Sequence, residues 1–362
     1  VNAPEYGWND YKVDVKGKTV VMLINDPGFE LKGTDFKGKA MTYYGRWTYK
    51  FEEAARQGAA GVLIIHETAP ASYPWGVVEN GWSGEQLNLT FADKNLDRSA
   101  LEGWITLELA ERLFAEMDTT YAKMKEKALS KDFQAVPMEG MKLSSNMVNT
   151  LKVSDSHNVV GYVKGSEMPD EYVLIMAHWD HMGIDPTIEG DQIYNGAVDN
   201  ATGTAAVMHM AETFSNRNPK RSVVFIGLTA EESGLLGSAY LVENTPFPYN
   251  KVIGGLNLDA FPAIGKAKDL TIVGYGASEL ELVLDKYASA EGKYLAPDKK
   301  PEAGYFYRSD HINFAKKGIP VIYADPGVDL LDGGKEKGIE LAELYTANNY
   351  HKPSDEMTDD WE

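Results

Sequence analysis

Six apolar runs, separated by helical stretches, dominate the last two thirds of this 362-residue chain. They read HNVVGYV, EYVLIMAH, RSVVFIGL, VIGGLNLDAF, LTIVGY and IPVIYAD. Short buried runs that alternate with helices are typical of α/β proteins, because crossover helices cover both faces of a parallel sheet. The sequence therefore predicts an α/β fold with a mostly parallel mixed sheet flanked by helices.

The first third predicts a smaller α/β domain. KTVVMLIND and AAGVLIIHE read as buried strands, and RWTYKFEEAARQG between them has helical spacing and ends at Gly58. This strand–helix–strand order implies a parallel pair. The chain becomes charged and polar over residues 120–150. We therefore predict a boundary near residue 130, with domains of residues 1–130 and 131–362.

Charge and composition exclude several classes of partner. The 35 basic and 54 acidic residues give a net charge of −19, and the basic residues do not cluster in the sequence. Such a surface would repel a nucleic-acid backbone. With no cysteine, the chain has no disulfide and no thiolate metal site. No apolar run reaches the ~18 residues that a membrane span needs. Metal ions and cationic groups are the more natural partners.

Polar residues cluster where the apolar runs end, which is where α/β folds place their sites. The candidates are His178, Asp180, His181, Asp199, Glu231, Glu232, Asp259 and His351. Glu231 and Glu232 follow a buried strand directly, and either a cation or a proton would relieve their repulsion. Two imidazoles and several carboxylates suit zinc or a similar divalent ion. Five good ligands predict two ions that share one carboxylate, with one of the two glutamates as a ligand and the other as a general base.

AHWDHMG, GAVDNATGTA, TAEESGLLGS, NLDAF, SDHINFAKKGIP and YHKPSDE resemble, in order and spacing, the co-catalytic di-zinc aminopeptidases of the aminopeptidase S and Y type, peptidase family twenty-eight. GKTVVMLINDPG and EEAARQGAAGVLII resemble that family's protease-associated (PA) domain. The resemblance implies a zinc exopeptidase fold preceded by a PA domain that narrows access to the cleft. It also implies a peptide substrate and the removal of N-terminal residues through a water that bridges two zinc ions.

The resemblance assigns roles to matching positions. It implies that His178 and Asp259 bind one zinc ion. Glu232 and His351 would bind the other, and Asp199 would bridge the two.

Further roles carried by the resemblance concern catalysis. Glu231 would be the general base, and Tyr350 would stabilise the oxyanion. Asp180 would hold the His178 imidazole from behind the metal ligands. The family also carries a cis peptide after the bridging aspartate, which here is Asp199–Asn200.

Relatives carry helices before the PA domain and one more helix after the last histidine, so we expect this chain to lack both flanks through processing or truncation. Family habit and the absence of cysteine favour a periplasmic or secreted location. The N-terminus shows no signal pattern, so a signal is either absent or removed. Oligomeric state, physiological metal and preferred side chain stay open; manganese and cobalt are alternatives to zinc.

Three other functions stay open. A carboxypeptidase of the same family would need arginines to bind a carboxylate, and Arg308 is the only arginine after Arg221. A glutaminyl cyclase-like transferase would alter the GAVDN block, which this chain keeps in its hydrolase form. A metal-free binding or receptor module would show substituted ligands, and none is substituted. The sequence also leaves His181 between pocket and packing roles, and Ser309–Asp310–His311 reads as a helix N-cap.

Overall fold

The computed structural model describes residues 1–31, 33, 35–359 and 361. The chain divides into two compact units. The first comprises Val1–Gln86, Thr90–Val153 and Lys300–Tyr307, and the second comprises Leu87–Leu89, Ser154–Lys299 and Arg308–Glu362. The assignment of residues 1–130 to a PA-like domain and of 131–362 to a peptidase domain stays a prediction.

The strands of the first unit are β1 (Asn2–Ala3), β2 (Trp8–Asn9), β3 (Thr19–Leu23), β4 (Gly61–Ile65) and β5 (Leu101–Ile105). Its helices are α1 (Trp47–Arg56), α2 (Thr68–Ala71), α3 (Trp75–Trp82), α4 (Leu107–Ala115) and α5 (Tyr121–Ala128). Strands β3, β4 and β5 form a parallel sheet in that order. The predicted parallel pair on either side of a helix is confirmed by β3, α1 and β4.

Alternation along β4 builds the core of the first unit on both faces of its sheet. Val62 and Ile64 pack with Phe51 of α1, whereas Ile65 packs with Phe114 of α4. Successive side chains of a strand point to opposite faces, so one strand contributes to two apolar layers.

The strands of the second unit are β6 (Val159–Val163), β7 (Met168–His178), β8 (Gly183–Ile184), β9 (Ile193–Tyr194), β10 (Arg221–Leu228), β11 (Val252–Asn257), β12 (Asp269–Val273), β13 (Tyr294–Pro297) and β14 (Val321–Pro326). Its helices are α6 (Thr202–Ser215), α7 (Leu236–Glu243), α8 (Leu280–Ala290), α9 (His311–Lys316) and α10 (Gly334–Asn348).

Seven strands in the described part of this unit form one sheet in the order β13-β12-β14-β11-β7-β10-β6. The β10–β6 and β12–β14 pairs are antiparallel, and the other pairs are parallel. The predicted mostly parallel mixed sheet flanked by helices is confirmed. Among the described residues, every helix is too short or too polar to cross a membrane.

Helices cover both faces of this sheet around its central strand β7. Leu174 and Met176 are fully buried in one cluster with Leu241 of α7 and Phe314 of α9. Ile175 lies in the opposite cluster with Val207 of α6. With both faces covered, the loops beyond the carboxyl ends of β7, β10, β11 and β14 are the place where polar groups can gather.

Candidate metal centre

Strand register brings His178 and Asp259 together. His178 is the last residue of β7, and β11 runs parallel to β7 with Asn257 opposite Met176. Asp259 and His178 each lie two residues beyond that pair, at the same end of the sheet. Nε2 of His178 lies 3.1 Å from Oδ1 of Asp259 and 3.2 Å from Oδ1 of Asp199.

The second half of the site forms around the other oxygen of Asp199. Nε2 of His351 lies 3.2 Å from Oδ2 of Asp199 and 3.2 Å from Oε2 of Glu232. Each oxygen of Asp199 therefore contacts a different imidazole. The structure thus brings together all five residues predicted as metal ligands, with Asp199 in the shared position.

Asp355 shapes the chain around Asp199. The backbone of Asp199 and Asn200 is not helical, and the Asp199–Asn200 peptide bond is cis, as predicted. The carboxylate of Asp355, which is buried, accepts hydrogen bonds from the backbone N–H groups of Val198 and Asp199. The sequence analysis missed Asp355, although it stands four residues after His351 in the block that drew attention to that histidine.

Asp180 contacts His178 differently from the expectation. Its main-chain oxygen lies 3.0 Å from Nδ1 of His178, whereas its carboxylate lies 3.9 Å away. The carboxylate instead accepts hydrogen bonds from the backbone N–H groups of Glu231 at 3.1 Å and Glu232 at 3.3 Å. Because a carbonyl only accepts, Nδ1 of His178 carries a proton, and Nε2 faces the carboxylates.

A tight turn carries the two glutamates from β10 into the site. Ala230, directly before Glu231, has φ of 54°, and Ala260, directly after Asp259, has φ of 53°. His351 itself has φ of 56°. Left-handed backbone at a non-glycine residue carries strain, which the surrounding structure must hold in place.

Burial and neighbouring charge give the two glutamates opposite pKa shifts. Burial raises the pKa of Glu231 well above its ordinary value, and the nearby Asp259 raises it further. Burial also acts on Glu232, but hydrogen bonds from His181 and His351 outweigh it and lower the pKa of Glu232. Glu232 is therefore suited to bind a cation, and Glu231 is suited to exchange a proton.

The imidazoles are held in an environment that favours positive charge. Burial lowers the pKa of His351, but hydrogen bonds to Asp199 and Glu232 outweigh it and raise this pKa to about 10. Asp199 and Asp259 outweigh burial in the same way and raise the pKa of His178. Positive charge stabilises these carboxylates, and either protonated imidazoles or metal cations can supply it.

His181 and Tyr350 complete the surroundings of the second half. Nδ1 of His181 lies 2.7 Å from Oε1 of Glu232, so His181 contacts the site and is not merely a packing residue. The ring of Tyr350 stacks on His351 with 3.9 Å between centroids. The side chain of Tyr350 is itself exposed.

The expected N-cap at Ser309–Asp310–His311 is wrong. Helix α9 begins at His311, and Asp310 makes no side-chain cap. Ser309 instead donates a hydrogen bond of 2.6 Å to Oδ2 of Asp259, and Asp310 accepts one from Ser238. A cap prediction uses only local sequence, whereas the Ser309 hydroxyl and the Asp310 carboxylate find partners that are distant along the chain.

The donor set fits zinc. Two groups of side chains offer ligand atoms within 4.8 Å of one another: His178, Asp199 and Asp259 in one, and His181, Asp199 and Glu232 in the other. Ligands at about 2.0–2.1 Å in a tetrahedral zinc site stand about 3.3 Å apart. The observed separations of 3.1 and 3.2 Å between ring nitrogens and carboxylate oxygens match that spacing.

Residues 158–362, the part of the chain that carries this site, match the model of peptidase family M28. The chain belongs to peptidase family M28. The predicted family is confirmed, and the matched residues include every predicted metal ligand. The PA-like character of the first unit stays a prediction.

Curated relatives include zinc metalloproteases and exopeptidases. The chain is 37% identical over 102 residues to a probable zinc metalloprotease of Pyrenophora teres f. teres, covering 28% of this chain and 22% of that protein. It is 24% identical over 358 residues to the aminopeptidase NAALADL1 of Rattus norvegicus, covering 85% of this chain and 45% of that protein. A glutamate carboxypeptidase 2 homolog of Caenorhabditis elegans is 34% identical over 112 residues, covering 29% and 13%. The chain thus spans less than half the length of each.

Among solved structures, the aminopeptidase from Aneurinibacillus sp. strain AM-1 is similar, with a TM-score of 0.44 and 20% identity, covering 92% of this chain and 68% of that chain. The zinc aminopeptidase BSAP from Bacillus subtilis gives a TM-score of 0.39 and 19% identity, covering 93% and 71%.

Proposed function

We propose that this M28 protein is a zinc-dependent exopeptidase that removes N-terminal residues from peptides with two zinc ions. The observation that carries the proposal is the sharing of Asp199 by two imidazoles, one on each carboxylate oxygen. His178 and Asp259 would hold one ion, and Glu232 and His351 the other. Bound zinc supplies a Lewis acid that polarises a carbonyl and lowers the pKa of water.

Glu231 acts as the proton carrier of the reaction. It lies next to the ligand Glu232, its backbone is fixed by Asp180, and its raised pKa suits an acid–base group. The carboxylate takes a proton from the attacking water and delivers it to the leaving amine. The side chain must be ionised for the first transfer and protonated for the second, so one group serves both halves of the hydrolysis.

Tyr350 stabilises the charge that develops on the carbonyl oxygen. Its ring stacks on that of His351, so Tyr350 is adjacent to one of the proposed zinc ligands. A hydroxyl donor aimed at the developing oxyanion contributes more in the transition state than in the ground state.

The scarcity of arginines in the second half of the chain favours an N-terminal over a C-terminal substrate end, because a terminal carboxylate is bound best by arginine. The carboxypeptidase alternative would need a cationic pocket, and Arg308 is the only arginine beyond Arg221.

The test uses zinc-loaded protein and three forms of one peptide: free at both ends, acetylated at the N-terminus, and amidated at the C-terminus. Mass spectrometry follows stepwise shortening. We expect the free and amidated peptides to lose N-terminal residues and the acetylated peptide to remain intact. Shortening of the acetylated peptide from its C-terminus would establish the carboxypeptidase alternative instead.

Two variants connect activity to the site. Glu231→Gln should retain two zinc ions by metal analysis while kcat falls by about 10²–10⁴-fold. Glu279→Gln, which changes an exposed glutamate, is the matched control and should behave as the wild type. Protein that binds no zinc from a zinc-containing buffer would contradict the enzyme and favour the binding-module alternative.

A further inference from the structure

Strand β6 leaves one edge of the seven-stranded sheet open. It pairs with β10 on one side, and no strand in the described part of the chain pairs with its other side. The backbone groups of β6 that do not bond to β10 therefore point outward. Natural proteins usually protect such an edge with charges, a proline or a bulge. The run Asn158–Val163 contains neither a charged residue nor a proline, and its register with β10 is unbroken.

The side chains of β6 are exposed on both faces of the sheet. Val159 is 64% exposed, Val160 40% and Tyr162 66%. Trp179, which is 49% exposed, lies beside Val159, because both side chains come within 3.4–3.7 Å of the position that a Cβ atom on Gly227 would take. We call these four exposed side chains and the open backbone of the strand the β6 edge. A contiguous exposed apolar surface of this kind marks an interaction site.

Hydrogen bonds at both ends hold β6 in place. The Asn158 side chain accepts from the N–H group of Thr229 at 3.1 Å and donates to the main-chain oxygen of Gly237 at 2.8 Å. At the other end, the N–H group of Gly165 donates to the Ser222 hydroxyl at 3.0 Å. The edge is therefore fixed before a partner binds, and association costs little ordering of the backbone.

We propose that β6 pairs with β6 of a second copy of this chain, antiparallel and across a two-fold axis at Gly161. This inference goes beyond the proposed function and does not depend on it. With Gly161 opposite itself, Val160 of each copy lies opposite Tyr162 of the other, and Val159 lies opposite Val163. Aromatic and β-branched residues are favourable cross-strand partners. Moving the axis to Val160 or Tyr162 would leave two residues of each strand without a partner in the other strand.

Charge limits where two copies can meet. With a net charge of −19, two copies repel each other over most of their surface. The β6 run is uncharged, and the two-fold register places Lys164 opposite the neutral Asn158, so no like charges face each other in the strand pair. A foreign peptide would be selected by side-chain pockets beside the edge, whereas the pairing of Val160 with Tyr162 needs only a second copy of the same strand.

The size of the β6 edge predicts a weak dimer. A stable interface needs about 600 Å² or more from each partner. The exposed parts of Tyr162 and Trp179 supply roughly 100 Å² each, and the two valines and the open backbone add to this area. The contact therefore stands at the small end of specific interfaces, and the dimer should form in a concentration-dependent way.

Sedimentation velocity of the full chain from about 1 to 200 μM tests the proposal. We expect the sedimentation coefficient to rise with concentration toward that of a dimer, and association to tighten when salt screens the negative charge. Tyr162→Lys should weaken association by at least about tenfold, because it places a cation on the edge. Tyr275→Lys is the matched control, since it changes a tyrosine that is 54% exposed and follows β12.

A single introduced cysteine reports the register, because the chain has no cysteine of its own. A Cβ atom on Gly161 would meet no atom within 4 Å, so Gly161→Cys should fold. Directly opposed residues of antiparallel strands have Cα atoms about 4.5–5.5 Å apart, which suits a disulfide. Mild oxidation should therefore join two copies of Gly161→Cys. Gly81→Cys, at an exposed and equally unobstructed glycine of α3, is the control and should stay unlinked.

A chain that sediments as a monomer at every concentration would overturn the proposal, as would association that Tyr162→Lys leaves unchanged. Cross-linking of Gly161→Cys no faster than that of Gly81→Cys would also overturn it. Neither measurement uses turnover, so failure of the exopeptidase function and failure of the strand pairing are separate results.

Discussion

Nδ1 of His181 lies 2.7 Å from Oε1 of Glu232. A carboxylate accepts hydrogen bonds, so the imidazole of His181 donates its Nδ1 proton to Oε1 of Glu232. The other oxygen, Oε2, contacts Nε2 of His351. Partners that hold a metal ligand from behind contribute about 10–100-fold to metal affinity.

We therefore expect His181→Phe to lower zinc affinity by about 10–100-fold, measured by competition with a chromogenic chelator. His181→Asn, whose amide can replace the Nδ1 donor, should recover part of the loss. His209→Phe changes an exposed histidine of α6 and is the matched control. Wild-type affinity in His181→Phe would contradict a positioning role.

Asp180 orients both glutamates through their backbone N–H groups. Asp180→Ala should lower kcat by about 10–100-fold, because Glu231 and Glu232 lose a common anchor. Asp180→Asn should lose less, since one amide oxygen can still accept. The main-chain contact to His178 persists in both variants. If the Asp180 carboxylate acted on His178 alone, the position of Glu232 would not depend on it. Both variants would then bind zinc with the same affinity as the wild type.

Asp355 accepts hydrogen bonds from the N–H groups of two consecutive peptides, those of Val198 and Asp199. In Asp355→Ala two buried N–H groups lose their acceptor, which costs about 1–3 kcal/mol for each unsatisfied group. We expect a lower melting temperature together with weaker zinc binding, whereas Asp285→Asn, which changes an exposed acid of α8, should change neither. Calorimetry with and without zinc measures both effects. Unchanged zinc affinity would show that Asp199 keeps its place without this support.

Removing zinc should destabilise the second unit more than the first. Zinc at about 1,000 times its Kd stabilises the form that binds it by about 4 kcal/mol. For a unit of this size the loss corresponds to a fall of about 8–16 °C in melting temperature. A chelator should produce this fall in the wild type and have little effect on Asp199→Asn. Hydrogen exchange can locate the loss of stability, and the increase in exchange rate should be largest in β7, β10 and β11.

Lys50 gives the first unit a defined dependence on pH. It is buried, its Nζ donates a 2.7 Å hydrogen bond to the main-chain oxygen of Asn25, and burial lowers its pKa from 10.5 to about 8. Between these values the unfolded chain holds a proton that the folded chain has lost, so stability rises with pH. Below about pH 8 both states are protonated and the contribution is flat.

From pH 7.5 to 9.5 this contribution should amount to about 2 kcal/mol in the free energy of unfolding. Lys50→Met has no titrating group and should lose that increment, whatever its effect at a single pH. Denaturant unfolding of both proteins at the two pH values measures the difference. Parallel changes in wild type and variant would show that Lys50 titrates normally in the fold.

Much of the fold could be predicted because its signals are local. Leu174 and Met176 alternate with Ile175 and Ala177, so β7 reads as a strand that is buried on both faces before any neighbour is known. The grouping of the five candidate ligands could also be predicted, since each member directly follows an apolar run or stands in a block that resembles the M28 pattern. Their roles as zinc ligands, and the roles of Glu231 and Tyr350, stay proposals until metal binding and activity are measured.

The amino-acid sequence by itself determined where six of the seven strands of the large sheet lie, which side chains stand at their ends, and the family to which the chain belongs; the edge strand β13 was not predicted. Only the tertiary structure decided which atom meets which: the main-chain oxygen of Asp180 on His178, the imidazole of His181 on Glu232, and Asp355 on the backbone of Asp199. Apolar residues repeat along the sequence with the period of a strand or a helix, so burial can be predicted from the sequence. Hydrogen-bond partners, by contrast, depend on strand order and register, which place residues 51 or 156 positions apart side by side.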